Sequence, residues 1–217
     1  MPEVITNNLD LWTSAVLTKS SAGRGRNGKQ EAYGIKKLRE LILELAVRGK
    51  LVPQDPEDEA ASLLLERLAK EKDRLITEGK LGKSQPLPDI VAEEIPFELP
   101  ATWEWIRLGN LGEIFNGNSI SERVKEAKYT NIEGGLPFIA TKDVGYGWQE
   151  LNYENGVSVP AGESTFKVAH KGSVLICAEG GSAGKKCGIT VKDICFGNKL
   201  YALEPYVYIE PNFLLAN

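Results

Sequence analysis

The sequence predicts an α+β fold: an N-terminal helical hairpin followed by a mostly antiparallel β-rich domain. Three observations carry this. Apolar residues recur at helical spacing over 35–48 and again over 64–76. A stretch with four prolines, "KSQPLPDIVAEEIPFELP" (83–100), then interrupts the pattern. Beyond it come short runs rich in β-branched and aromatic residues, bounded by glycine and asparagine.

Residues 1–34 are weakly patterned, and "SSAGRGRNGKQ" (20–30) reads as a polar, basic linker, either a flexible joint or a contact to phosphate. In the first helix Ile35, Leu38, Leu41, Ile42 and Leu45 form one face, while Lys36, Lys37, Arg39, Glu40 and Glu44 fall elsewhere on the wheel. Gly49 suits the position just past the helix end, and Arg48 and Lys50 suit its negative pole. The second helix is expected to open at Asp55-Pro56-Glu57-Asp58. Asp55 would cap free N–H groups, Pro56 fits the first helical position and acids favour the positive pole. Leu64, Leu65, Leu68, Leu75 and Ile76 carry that helix to Gly79.

These elements divide the chain into a poorly patterned segment (1–34), a helical segment (35–82), a proline-rich linker (83–96) and a β-rich domain (97–217). Expected strands are "WEWIRL", "LGEIF", "LPFIAT", "SVLICA", "CGITV" and "KLYAL". "EPNFLLAN" reads as the start of a helix at Pro211, and the domain is expected to continue past Asn217.

Composition excludes several classes. A net charge of −4 over 217 residues announces no global basic field. The charge is uneven, however. Residues 19–53 hold nine Lys/Arg against three Asp/Glu, residues 54–78 hold four against eight, and residues 85–104 carry five acids and no base. Cys177, Cys187 and Cys195 lack Cys-x-x-Cys spacing, and with His170 the only histidine a structural zinc site is not expected. Reduced thiols point to a cytoplasmic protein. No apolar run is long enough to span a membrane, and no export signal pattern opens the chain.

Catalytic constellations are missing. "EGGSAGKK" has Gly180-x3-Gly184-Lys185, not the spacing of a phosphate-binding loop. His170 has no nucleophile motif beside it and reads as a solvated histidine. Glu126-Ala127-Lys128 matches the end of a nuclease pattern but falls in what reads as a polar loop. No dinucleotide fingerprint and no Asn-Pro-Pro-aromatic methyltransferase signature occur. Trp103, Trp105, Phe115 and Phe138 read as core residues rather than stacking platforms.

Four loops share a binding design. "FNGNS" (115–119), "ATKDVG" (140–145), "AEGGSAGKK" (178–186) and "FGNKL" (196–200) each place Asn, Ser or Lys on a glycine-bearing loop beside an apolar strand. Amides, hydroxyls and ammonium groups so presented reach phosphates and base edges. Ordinary turn chemistry uses the same residues. The candidates are Asn116, Asn118, Ser119, Lys142, Ser182, Lys185, Lys186, Asn198 and Lys199.

"LRELILELAVRGKLVPQDPEDEAASLLLERL" (38–68) resembles the helical conserved segment of the specificity subunits of type I restriction–modification enzymes (HsdS-like). "LPATWEWIRLGNLGEIFNG" (99–117) is similar to the entry of a target recognition domain in that family. "GLPFIATKDV", "GSVLICAEGGSAGK" and "GNKLYAL" follow in the family's order. The resemblance implies a non-catalytic subunit that reads one half of a bipartite double-stranded DNA target. It also implies docking to methyltransferase subunits and, through the complex, to a restriction and translocation subunit. S-adenosylmethionine, ATP and magnesium would then sit on those partners, with no cofactor on this chain. Ile35, Leu38, Leu41, Ile42 and Leu45 would pack on partner helices or within the hairpin. The competing reading is an interaction module that binds a protein or glycan and no nucleic acid.

Overall fold

The structure, a computed structural model, describes residues 2–19, 29–82, 85–146 and 149–216. The glycine-rich stretch 20–28 lies outside the described residues, so its reading as a linker has no structural counterpart. The described residues form two compact units. One comprises residues up to 63 together with 90–105, and the other residues 64–89 and 106 onward.

The first unit opens with two short helices, α1 (Glu3–Thr6) and α2 (Leu9–Ser14). A small antiparallel pair follows, β1 (Leu17–Lys19) with β2 (Lys29–Glu31). Helix α3 spans Tyr33–Val47, close to the expected 35–48. Its end follows the chemistry of its sequence. Gly49 adopts φ +64, and the Gly49 and Lys50 N–H groups donate to the Ala46 and Leu45 carbonyls, satisfying groups the helix leaves open. Gly34, its one buried residue, backs onto Trp12, where an added Cβ would lie 2.0 Å from the carbonyl oxygen. Arg48 lies over the Phe97 ring at 5.1 Å, and Phe97 tilts against Trp105 at 5.0 Å.

Helix α4 runs Ala61–Thr77, five residues later than the expected start at Pro56. The Asp55 side chain does accept an N–H, but that of Glu57, two residues on, and residues 56–58 form turns rather than a first helical turn. A short polar side chain closing a local loop competes with the helix for the same donors. The Ala61 N–H instead donates to the Thr102 carbonyl at 2.8 Å.

The second unit carries two four-stranded sheets. Strands β3 (Gly112–Asn116), β7 (Val174–Cys177), β8 (Cys187–Ile189) and β10 (Leu200–Pro205) pair in the order β3-β10-β7-β8, all antiparallel. Strands β4 (Leu136–Ile139), β5 (Ser158–Val159), β6 (Val168–Ala169) and β9 (Ile194–Phe196) pair in the order β5-β4-β9-β6, with one parallel junction, β4 with β9. Helix α5 (Glu122–Lys128) links β3 to β4, and α6 (Pro211–Ala216) closes the described chain. "WEWIRL" is not a strand. Its residues run without regular structure into a turn of 3-10 helix at Leu108–Asn110.

Three apolar clusters hold this unit. Ile139, Ile194 and Phe196 from one sheet meet Leu175, Leu200 and Ala202 from the other. On the outer face of β10 and β7, Leu203 and Val174 join Leu68 of α4, Leu214 of α6, Leu111 and Tyr206. Leu64, Leu65 and Leu75 of α4 pack against the same cluster, so the leucine face legible in the sequence is covered by the β-rich unit. Phe138, Val159 and Cys195 form the third cluster with Phe166 and Tyr129. Phe138 is core as expected, and Phe115 is half-buried against Phe196 at 5.6 Å. Trp103 departs from expectation, being 38% exposed.

Candidate nucleic-acid interface

The two sheets are stitched together where β3 ends. The Asn118 N–H donates to the Phe196 carbonyl, the Gly197 N–H to Ile139 and the Asn198 N–H to Asn118. Gly117 is forced by this close approach, since a Cβ there would stand 2.1 Å from the Phe196 carbonyl oxygen. The stitch brings three of the predicted loops to one place. Asn118 and Ser119, Lys142, and Asn198 and Lys199 line a single cleft of about 360 Å³ floored in part by Phe138.

Each candidate has a definite setting. Ser119, Lys142, Asn198 and Lys199 are exposed, and no hydrogen bond engages their side-chain polar atoms among the described residues. Asn118 differs, because both ends of its amide are engaged. Nδ2 donates to the Thr165 carbonyl at 2.8 Å, and Oδ1 accepts from the Lys167 N–H at 2.8 Å. Asn118 thus clasps the strap 165–167 instead of presenting a free amide to a ligand. Asn116 is tied to the same strap, its carbonyl and Oδ1 each accepting from Lys167 Nζ at 2.9 Å. Phe166, between the clasped residues, meets Phe138 and Tyr129 edge-on.

The glycine-rich loop 180–186 is not part of the cleft lining. It forms a 3-10 turn at Gly180–Ser182 and feeds β8 rather than a helix, consistent with its poor match to a phosphate-binding loop. Lys186 is engaged internally. Its Nζ donates to the Thr141 carbonyl at 3.1 Å and lies over the Tyr146 ring at 5.4 Å. Lys185 bonds the Gly181 carbonyl at 3.3 Å on the exposed loop, and the Ser182 carbonyl accepts the Lys185 N–H.

Three side chains at or beside the cleft were not singled out from the sequence. Glu122 and Lys125 line the cleft from α5, which the sequence presents as a polar loop but which is helical, so Glu126 and Lys128 also sit on a helix. Ser121 caps it, accepting the Val124 N–H, and Glu122 pairs with Lys125 one turn on. A Ser-Glu-x-x-Lys reading would have found both. Lys167 carries no local motif, because its partner Asn116 is 51 residues away.

A buried network sets the Lys142 turn. Asp143 is 5% exposed, and its Oδ2 accepts from the Ala140 N–H and from Asn155 Nδ2. Asn155 also donates to the Phe138 carbonyl and accepts the Val157 N–H. With Asp143 and Ala140 fixed, Lys142 projects from a rigid 3-10 turn. His170 stands elsewhere, 61% exposed, with Nδ1 2.8 Å from Glu204 Oε1. Among the described residues no cluster of three His, Cys, Asp or Glu is arranged for a metal ion, and no helix is long and apolar enough to cross a membrane.

Over 140 residues the chain is 53% identical to the type I restriction enzyme EcoAI specificity subunit of Escherichia coli, and over 149 residues 50% identical to the EcoEI specificity subunit. The chain is homologous to the specificity subunits of type I restriction enzymes. The matched stretches make up 64% and 69% of this chain but only 23% and 24% of those relatives' own length. The HsdS subunit from Thermoanaerobacter tengcongensis aligns at 21% identity and a TM-score of 0.44, over 95% of this chain and 49% of that one. No family model matches. The family resemblance read from the sequence thus has its counterpart in curated homologues, and the protein- or glycan-binding alternative finds no support among them.

Proposed function

We propose that this chain is a DNA sequence-recognition subunit of a type I restriction–modification complex. Its β-rich unit reads one half of a bipartite double-stranded target, and its helical segment docks methyltransferase subunits, through which a restriction and translocation subunit joins. The homology to specificity subunits carries this reading. The cleft supports it, since exposed Lys142 and Lys199 beside Ser119 and Asn198 supply charge for phosphate and polar groups for base edges. The subunit does no chemistry. S-adenosylmethionine, ATP and magnesium belong to the partner subunits, and the complex works in the cytoplasm.

Residues 105–217 hold eleven bases and twelve acids, too balanced for a strong salt-sensitive phosphate attraction of their own. The methyltransferase subunits contribute that attraction. Co-purification with the methyltransferase subunit, followed by retention of labelled duplexes, tests the reading. Sequence-selective retention is expected, and its loss in Lys142→Ala/Lys199→Ala should come with a salt slope reduced by about two. A complex that holds all duplexes alike, or none, overturns it.

A further inference from the structure

The cleft holds a carboxylate for which DNA reading by lysine and asparagine has no use. Glu122 stands in the first turn of α5 with its side chain 73% exposed. Its Oε1 accepts from Lys125 Nζ at 2.7 Å. Lys125 itself is confined: its side chain is 11% exposed and its ammonium lies 5.4 Å from the Phe138 ring centroid. A lysine buried this far against an aromatic face fixes its partner rather than reaching out to a ligand. That bond, reinforced by the charges of Lys125 and more weakly of Lys142, holds the Glu122 carboxyl below the usual carboxylate range. Oε2 has no hydrogen-bond partner among the described residues.

A fixed, ionised carboxylate only accepts hydrogen bonds. Against DNA it is repelled by phosphates and by the acceptor atoms of the bases. What it gains from is an exocyclic amine, and the major groove offers two, cytosine N4 and adenine N6. Adenine N6 lies between two acceptors, its own N7 and O4 of the paired thymine, whereas cytosine N4 lies between its own C5–H and O6 of the paired guanine, so a carboxylate meets one opposing acceptor fewer at cytosine. Lys142 and Lys199 on the same cleft offset the repulsion from the backbone.

We propose that Glu122, positioned by Lys125, selects cytosine at one base pair of the recognition sequence. This rests on the DNA-reading role proposed above. Glu122 is the specificity-determining contact and Lys125 the positioning residue.

The test assembles the chain with the methyltransferase subunits of its own system and selects bound duplexes from a randomised pool, which are then sequenced. The wild-type motif should contain one cytosine whose preference falls about tenfold or more in E122Q, because glutamine presents a donor as well as an acceptor. The other positions stay unchanged. E122D, whose carboxylate is withdrawn by one methylene, should weaken the same position. K125M should relax that position alone and K125R restore it, whereas a merely structural lysine would degrade every position together with the melting temperature. A wild-type complex that enriches no motif removes the DNA-reading role itself. A wild-type motif that E122Q and E122D leave intact, or change at positions other than one cytosine, overturns only the assignment to Glu122. So does an E122Q complex that melts like wild type and enriches nothing, since one base contact accounts for one position.

Discussion

The two units of this chain handle apolar residues differently. Among the described residues, nineteen of the twenty buried hydrophobic side chains lie in the second unit, and Ile5 is the first unit's single contribution. The first unit exposes Val4, Leu9, Leu11, Tyr33, Leu43 and Val52, each at 41% or more; the second also exposes Tyr146, Val191, Tyr208 and Phe213, but around a closed interior. Among the described residues, both indole N–H groups that are buried without a partner, those of Trp12 and Trp105, also belong to the first unit. A satisfied interior leaves few such groups. The second unit therefore closes its own core, whereas the first leaves nearly all of its large apolar side chains at least partly accessible. Fixed recognition loops need the former, and a docking element suits the latter.

The sharpest way to break this comparison is to empty the second unit's core. Phe196 is fully buried where the two sheets meet and packs on Phe115. Phe196→Ala should cost about 3–5 kcal/mol in urea unfolding. A loss under about 1 kcal/mol would mean that the sheets do not share a close-packed interior. Gly117→Ala probes the same seam from the backbone side. The obstacle is a carbonyl oxygen 2.1 Å away rather than a flexible side chain, so β3 must shift, at about 1–3 kcal/mol by thermal melting. A neutral Gly117→Ala would show the stitch to be looser than described.

How much of this was legible in the sequence depends on the range of the interaction. Helix α3 and its glycine stop, strands β3, β4, β7, β8 and β10, and the core role of Phe138 follow from local periodicity and turn chemistry. Five of nine candidate binding residues share one cleft because their loops end neighbouring strands. What stayed hidden was set at a distance. "WEWIRL" has strand composition but no strand partner, and Lys167 has meaning only through Asn116. Asn118 looked free because nothing nearby in sequence shows that its amide clasps residues 165–167. Lys186 looked available for the same reason.

Removing Asn155 sharpens the link between core order and the cleft. Asn155→Ala leaves Asp143 Oδ2, the Phe138 carbonyl and the Val157 N–H each short of a partner. It should cost about 1–3 kcal/mol and loosen the Lys142 turn, seen as weaker duplex retention by the assembled complex. Retention equal to wild type would separate that network from binding.

Alkaline titration reads the same core without a substitution. Burial pushes the Cys195 thiol up to about 11, and raises Tyr153 and Tyr206 in the same direction. Unfolding releases these groups to their ordinary values, so the unfolded chain loses protons first. Stability is full below about pH 9 and falls as the pH rises through about 11. Cys195→Ala should flatten part of that decline, and an unchanged slope would place the effect on the tyrosines.

The smallest expected effect on stability belongs to the first unit and is the most telling for the comparison. The sequence pointed to Ile35, Leu38, Leu41, Ile42 and Leu45 as a partner-facing stripe. In the structure the last four are half-buried, while Ile35 is exposed together with Leu43 and Val47, three residues on one i, i+4 row of α3. Leu43 is 55% exposed, so Leu43→Ser should change the chain's own unfolding free energy by no more than about 0.5 kcal/mol. If α3 docks a methyltransferase subunit, the same substitution removes an apolar contact that exists only in the complex, and association should weaken measurably by titration calorimetry. A large loss of stability would mean that Leu43 already has a partner within the chain. Unaltered stability with unaltered association would take this row of α3 out of the interface and leave the half-buried stripe, Leu38 to Leu45, as the surface to test.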